Sequence, residues 1–242
     1  DFWNCYYCDV QASLDMTQIS VSNLILISHN YGNISVGDFG LAVFNDATIK
    51  ANSGKISIGR LYVPSGNIEV STNNGPIMIN ELNFKSLYIR GSDSFFQFST
   101  LTGPYVDVRT SRANIEFTTI NAGDVRLQTF DGLISGAISL GTSNPSLCKL
   151  NVKSSNGAIT LNKVDFVNLG IGCSVIVDST NAFVLVTVSG FTGSFRLRTS
   201  VGTATATGFG CTGSSCSGQV GGSNLHNIDI TSSNANVELI IQ

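Results

Sequence analysis

The stretch SGKISIGRLYVPSGNIEVSTNNGPIMI, from Ser53 to Ile79, contains nearly the same phrase three times: Gly54-Lys-Ile-Ser-Ile, Gly66-Asn-Ile-Glu-Val and Gly75-Pro-Ile-Met-Ile. In each phrase a glycine precedes two aliphatic residues that have one residue between them. Aliphatic residues at every second position indicate a strand with one buried face, and the glycine indicates a turn with positive φ. Because a catalytic site is needed only once, the repetition predicts repeated structure.

The aliphatic positions recur with a period of 19 residues along two rows. The first row steps by 22, 21, 19, 19, 19 and 25 residues, through Ile34, Ile56, Ile77, Phe96, Ile115, Ile134 and Ile159. The second steps by 19, 19, 19, 19 and 25, through Ile49, Ile68, Leu87, Val106, Val125 and Leu150. Both rows lengthen together near their ends, which chance placement of apolar residues would not produce. The sequence therefore predicts an all-β solenoid with two short strands per coil of about 19 residues.

This period divides the chain into three regions. Residues 32–164 are predicted to form the regular coils, and residues 1–31 an N-terminal cap or docking segment. After about Val164 the period fails while the alternation continues, so residues 165–242 are predicted to form irregular β coils with a C-terminal cap. An antiparallel β-sandwich is the alternative, because strands every 9 to 10 residues suit that fold as well.

The repeats resemble the adhesin β-solenoid repeats of microbial cell surfaces. The likeness spans about residues 32–161 and is carried by Gly54-Lys-Ile-Ser-Ile, Gly66-Asn-Ile-Glu-Val, Gly123-Asp-Val-Arg-Leu and Ser155-Asn-Gly-Ala-Ile-Thr-Leu. The resemblance implies a surface-associated and non-enzymatic role.

The composition excludes several classes of function. Charged residues make up 12% of the chain and the net charge is −3, so with no basic run nothing supports binding to nucleic acid. The longest apolar run, Leu24 to Ile27, is far shorter than the roughly 18 residues of a membrane span. A start at Asp1 rather than methionine fits either a mature segment whose leader has been removed or a piece cut from a longer chain.

Six cysteines predict structural disulfides and, with them, an extracellular or cell-surface location. One predicted disulfide closes a Gly/Ser loop, and another ties the lengthened coil to the irregular region. The third pair forms either a local bond or links to other chains, because a redox or zinc site would need a partner motif that is absent. These pairs are, in order, Cys211 with Cys216, Cys148 with Cys173, and Cys5 with Cys8. The sequence also contains one acceptor sequon, at Asn33, which predicts an outward-pointing glycosylation site.

No motif in the sequence predicts catalysis, a metal site or a cofactor. Glu69 and Asp107 are predicted two coils apart, about 9.6 Å, with Tyr88 between them, at the edge of the range for an inverting glycosidase. Solvated strand positions are the favoured interpretation of that pair. The two histidines, His29 and His226, are predicted to be surface or strand-end residues.

Basic residues on successive coils predict a binding strip for an acidic glycan or an acidic partner surface. The strip contains Arg90, Arg109, Arg126 and Lys153. Arg90 and Arg109 are 19 residues apart and should stack, so Asp107, Glu69 or an external anion must offset their repulsion. The alternative is that these side chains are exposed and point away from one another.

The two ends of the solenoid are predicted interfaces, since open coils expose unpaired backbone groups. Apolar residues at both ends suggest head-to-tail self-association, with caps that fold back as the alternative; they are Phe2, Trp3, Tyr6, Tyr7, Leu239 and Ile241. The resulting hypothesis is an extracellular structural or adhesive protein, a subunit of a surface or filamentous assembly. A carbohydrate-binding or carbohydrate-cleaving β-helix is the alternative.

Overall fold

The computed structural model describes residues 4–5, 10–12, 20–28, 31–93, 95–141, 148–167, 172–222 and 225–242. These residues contain no helix and form a β-solenoid of about 7 turns. The strands are β1 (Asn4–Cys5), β2 (Val10–Ala12), β3 (Ser20–Ser28), β4 (Ile34–Ala51), β5 (Ile56–Thr72), β6 (Ile77–Gly91), β7 (Phe96–Thr110), β8 (Ile115–Thr129), β9 (Ile134–Leu140), β10 (Lys149–Ser154), β11 (Ile159–Phe166), β12 (Ser174–Ser179), β13 (Val184–Ser189), β14 (Gly193–Thr199), β15 (Ala204–Thr207), β16 (Cys211–Gly213), β17 (Ser215–Val220), β18 (His226–Ser232) and β19 (Val237–Ile241).

Parallel pairing between successive coils confirms the solenoid and excludes the β-sandwich. The residues of the first predicted row pair one after another from Ile34 to Ile159. The second row is confirmed from Ile68 onward. The first step predicted for this row, from Ile49 to Ile68, was wrong, because Ala47 pairs with Ile68 and Ile49 pairs with Val70. A bulge-like shift of register in β4 causes this offset.

Each regular coil is one long strand that bends around the core. Between the two faces predicted from the rows it has a third paired face, which the sequence did not indicate. In β5 the first face is residues 56–58, the connecting face is residues 60–63 and the second face is residues 67–72. The connecting face adds fully buried residues such as Leu61 and Leu82 to the core. Three inward-facing ladders therefore enclose one apolar interior, and burial of that interior drives the stacking.

A hydroxyl residue closes the turn between the second face and the next coil. The Gly75 N–H donates to Thr72 Oγ1 at 3.0 Å, and the Gly132 N–H donates to Thr129 Oγ1 at 3.0 Å. The predicted positive φ of the repeat glycines is wrong, since Gly54, Gly66 and Gly75 do not have one. Glycine is needed there because a Cβ would overlap the carbonyl oxygen of the preceding coil, as at Gly75 against Gly54.

The described parts of residues 1–31 continue the same stack. Strand β1 pairs with β3, and β2 and β3 pair with β4, all in parallel. The aromatic residues predicted as an interface lie outside the described residues, as does Cys8; they are Phe2, Trp3, Tyr6 and Tyr7.

The last coils stack in an order that differs from their order in the chain. Strands β18 and β19 lie between an earlier coil (β12 and β13) and a later one (β14 and β15), and they pair in parallel with both. Strands β16 and β17 then pair antiparallel with β15 and β14 and cover the outer coil. The prediction that Leu239 and Ile241 form an open end was therefore wrong. Leu239 is fully buried, and the strand that holds both residues is paired on both sides.

The two described disulfides confirm the predicted pairings. Cys148 and Cys173 join neighbouring coils with a Cα separation of 4.6 Å. Cys211 and Cys216 close the loop between β16 and β17 with a Cα separation of 5.8 Å.

His226 is a strand-end residue, as predicted, but it is not on the surface, being 1% exposed. Its ring stacks on Phe166 with a centroid distance of 4.7 Å, and its Nδ1 accepts the Cys173 N–H at 3.1 Å. The Nε2 atom has no hydrogen-bond partner among the described residues. The neutral ring therefore carries its proton on Nε2, and burial lowers the pKa of His226 from its usual 6.5.

We expect His226 to make the protein less stable in mild acid. Below about pH 6.5 the unfolded histidine binds a proton that the buried ring resists, so stability falls by at most about 1.4 kcal/mol per pH unit until the folded pKa is passed. Urea unfolding of the wild type and of His226→Phe, at pH values on either side of 6.5, measures this difference. Identical pH dependence of the two proteins would contradict it.

Candidate functional site

The outward side chains of the second face form a continuous charged surface across β6, β7, β8 and β10. Backbone pairing places Arg90, Arg109, Gln128 and Lys153 in one row along the solenoid axis. A parallel row contains Tyr88, Asp107, Arg126 and Asn151. Neighbouring residues in each row are one strand spacing apart, about 4.8 Å.

Asp107 holds Arg90 and Arg109 side by side. Its side chain is 3% exposed, and it accepts from Arg90 Nη2 at 2.9 Å and from Arg109 Nε at 2.9 Å. A second bond from each guanidinium to Asp107 makes both contacts bidentate. The predicted stacking of the two arginines is confirmed, and Asp107 is the group that offsets their repulsion.

Arg126 belongs to the next cluster along the same face. It bonds to Asp124, with Nη2 3.1 Å from Oδ2, and its guanidinium lies 5.3 Å from the ring centroid of Tyr105. The hydrogen bond to Asp124 raises the pKa of Arg126, so this residue keeps its charge. Burial, followed by the charge of Asp107, raises the pKa of Tyr105, which stays a neutral phenol. Tyr105 and Tyr88 lie 5.5 Å apart and form a small aromatic surface next to the cations.

A shallow groove of about 380 Å³ crosses this face, and we call it the basic groove. It is lined by Arg109, Arg126, Leu127, Gln128, Lys149, Asn151 and Lys153. Lys153 pairs with Asp178 at 3.4 Å. Lys149 forms no ion pair in the part of the chain that the structure describes. Asn151 Oδ1 is buried and has no hydrogen-bond partner among the described residues.

The local charge of this surface is opposite in sign to that of the chain. Five cations (Arg90, Arg109, Arg126, Lys149 and Lys153) face three carboxylates (Asp107, Asp124 and Asp178), which leaves an excess of two positive charges. The whole chain has a net charge of −3. A groove with an excess of positive charge attracts anions.

Backbone pairing places Glu69, Tyr88 and Asp107 on successive coils, as predicted, and both carboxylates are ion-paired. Asp107 is enclosed by two arginines, and Glu69 pairs with Lys50 at 2.8 Å. Within the described ranges there is no cluster of three or more potential metal ligands. In the same ranges, no helix has the length and apolar character needed to cross a bilayer.

The predicted glycosylation site has the expected orientation. Asn33 is exposed at a turn of the solenoid, and its Oδ1 accepts the Lys55 N–H at 2.8 Å. Attachment of a glycan there stays a prediction.

Three polar residues that line the basic groove were not part of the predicted strip: Lys149, Gln128 and Asn151. The signal for Lys149 was present in the sequence, because it flanks Leu150 of the second row and therefore points outward with Lys153. Gln128 and Asn151 carry no charge, so only the backbone pairing of their strands shows that they lie among the cations.

The fold and the groove define this chain as a β-solenoid with one cationic face. No family model matches the chain, and neither does any curated protein or solved structure. The resemblance to the adhesin repeats is supported by the solenoid fold alone.

Proposed function

We propose that this chain is a non-enzymatic extracellular module, adhesive or structural in role, that binds acidic glycans in the basic groove. Membership of the adhesin-type solenoids is part of the proposal. The observation that carries it is the alignment of cations across successive coils around one groove, with an excess of positive charge.

The groove combines the groups that an acidic sugar requires. Lys149 and Lys153 offer ammonium groups to carboxylates, and Arg109 adds a guanidinium that Asp107 orients. Asn151 also lines the groove, and its side-chain amide can bond to a sugar hydroxyl because a hydroxyl both donates and accepts. The rings of Tyr88 and Tyr105 lie beside the cations, where they can pack against the C–H groups of a sugar ring.

Two further features support this role. The disulfides Cys148–Cys173 and Cys211–Cys216 fit an oxidising, extracellular compartment. Asp107 is committed to two arginines and Glu69 to a lysine, which favours binding over hydrolysis. Self-association through the ends, as in a filament, now depends on residues 1–9 at one end and on the β16–β17 cap at the other.

Calorimetric titration with an oligogalacturonate tests the proposal, with the fully methyl-esterified oligomer as the uncharged ligand. We expect the acid form to bind and the ester not to bind, with affinity that falls as salt is added. Lys149→Gln combined with Lys153→Gln should weaken binding about tenfold, since each exposed ion contact contributes about 0.7 kcal/mol.

Lys85→Gln is the matched control, because Lys85 is exposed and forms no ion pair among the described residues. It should leave the affinity unchanged. Equal binding of acid and ester, or equal losses in the groove variant and the control, would rule out the proposed site. An acidic peptide that competes better than the oligogalacturonate would identify a protein as the ligand instead.

A further inference from the structure

The segment 225–242 occupies a slot that is made entirely by earlier parts of the chain. Strand β18 pairs with β12 on one side and with β14 on the other. Strand β19 pairs likewise with β13 and β15. All four neighbours precede residue 208, and in the described part of the chain β18 and β19 pair with these four strands and not with the cap strands β16 and β17. The strands on both sides of the segment therefore all come from residues 174–207.

The slot is specific for this sequence. Ile228 and Ile230 are fully buried and stack between Val175 and Val177 on one side and Phe195 and Leu197 on the other. Polar contacts fix the register from both sides, where Arg198 pairs with Asp229 at 3.1 Å and Asn234 Nδ2 donates to Asn181 Oδ1 at 2.6 Å.

The connection that brings the segment back is short and rich in glycine. Val220, at the end of β17, and His226, at the start of β18, both pair with Gly193 from opposite sides. The crossover from one side of β14 to the other therefore takes place between Val220 and His226, which lie two strand spacings, about 9.6 Å, apart. Gly221 has a φ of +72°, a conformation that other residues rarely adopt, and Gly222 follows it.

We propose that segment 225–242 is exchangeable between copies of this chain, so that the segment of one copy fills the slot of another and the two form a reciprocal dimer. The pairings and buried contacts are the same whether the segment comes from its own chain or from a second copy. Only the crossover at residues 221–225 distinguishes the two arrangements, and exchange of an identical element is a low-cost route to a dimer. This interaction is independent of the basic groove.

A cysteine pair at the contact between neighbouring coils tests the exchange. In the full-length double variant Asn181→Cys/Asn234→Cys, the two new thiols lie across the boundary between the segment and its slot. Equal amounts of unlabelled and ¹⁵N-labelled protein are unfolded, mixed, refolded and oxidised, and the cross-linked peptides are weighed. We expect cross-links that contain one light and one heavy peptide. Their share should increase with protein concentration and approach about half of all cross-links in the dimer, as random pairing of two equal pools requires.

The control is Asn52→Cys/Asn73→Cys, because Asn73 Nδ2 donates to Asn52 Oδ1 at 2.7 Å across two coils that follow each other in the chain. It should give cross-links of a single isotope only.

Native mass spectrometry detects the dimer without any cysteine variant. For this measurement the unmodified protein is mixed and refolded in the same way. Deletion of Gly221 and Gly222 should raise the dimer fraction, because the shortened crossover strains insertion into the same chain. Single-isotope cross-links together with a monomeric native mass at every concentration would overturn the proposal.

Discussion

Ile115→Asp is expected to lower the free energy of unfolding by about 4 kcal/mol or more. Ile115 is fully buried and pairs with Phe96 on one side and Ile134 on the other, in the middle of the first-face ladder. A carboxylate at this position would lose its hydration and find no cation in the apolar interior, so it must be protonated or the coil must open. Urea unfolding followed by circular dichroism measures the loss.

The matched control is Ser57→Asp, which introduces the same side chain on the outward side of the first face. Ser57 pairs with Ser35 and Met78, and its side chain is partly exposed to water. The substitution Ser57→Asp should lower the free energy of unfolding by less than about 1 kcal/mol. If the two substitutions destabilise the protein equally, the inward and outward assignment of the first face is incorrect.

Removal of the Cys148–Cys173 disulfide is expected to lower the free energy of unfolding by about 3.5 kcal/mol. The bond joins residues 25 positions apart, and in the chain-entropy account a crosslink stabilises by restricting the unfolded state, more so for a longer loop. It also joins the coil of β10 and β11 to the coil of β12 and β13, beyond the point where the regular period ends. Denaturant unfolding of Cys148→Ala/Cys173→Ala measures the effect.

Cys211→Ala/Cys216→Ala is the comparison for this prediction. Its loop has a sequence separation of 5, which corresponds to about 2 kcal/mol in the same account. Among the described residues the cap strands β16 and β17 pair only with the two strands of the outer coil, so this variant should release the cap before the core unfolds. A larger loss from the short loop than from the long one would show that native contacts, and not loop entropy, decide the contribution.

The regular part of the fold could be predicted from the sequence because each coil repeats the same requirement. Positions such as Ile77, Phe96 and Ile115 must be apolar to fill a ladder, and the 19-residue spacing states which of them are neighbours. The connecting face was missed because no single residue type marks its start: Gly59 precedes it in β5 and Asn80 in β6. Ala47 was missed because a register shift in β4 interrupts the period.

The order of the last coils could not be predicted, because alternation identifies a strand without identifying its neighbours. Val237 and Leu239 show the pattern of a one-sided strand, and nothing in that pattern states that Val184 lies on one side and Ala204 on the other. The same limit applies to His226. A single histidine at the start of a strand gives no signal of burial until Phe166 and Phe191 are found around it.

The charged face was only partly predictable for a similar reason. The 19-residue spacing places Arg90 on Arg109 and brings Asp107 beside both, so this cluster followed from the sequence. Lys149 and Asn151 lie beyond the coil where the spacing changes to 25 residues. Their place in the basic groove depends on the pairing of β10 with β8.

The insertion of β18 and β19 between two other coils changes how the molecule bears mechanical load. A strand at the open end of a stack has one paired edge, so a pull along that strand is resisted by a single set of backbone hydrogen bonds. Strand β19 has two paired edges, so a pull on Gln242 along the strand loads the bonds to Val184–Val188 and to Ala204–Thr207 at the same time. Two sets of hydrogen bonds, one on each edge of β19, therefore share a pull along the strand and resist it together.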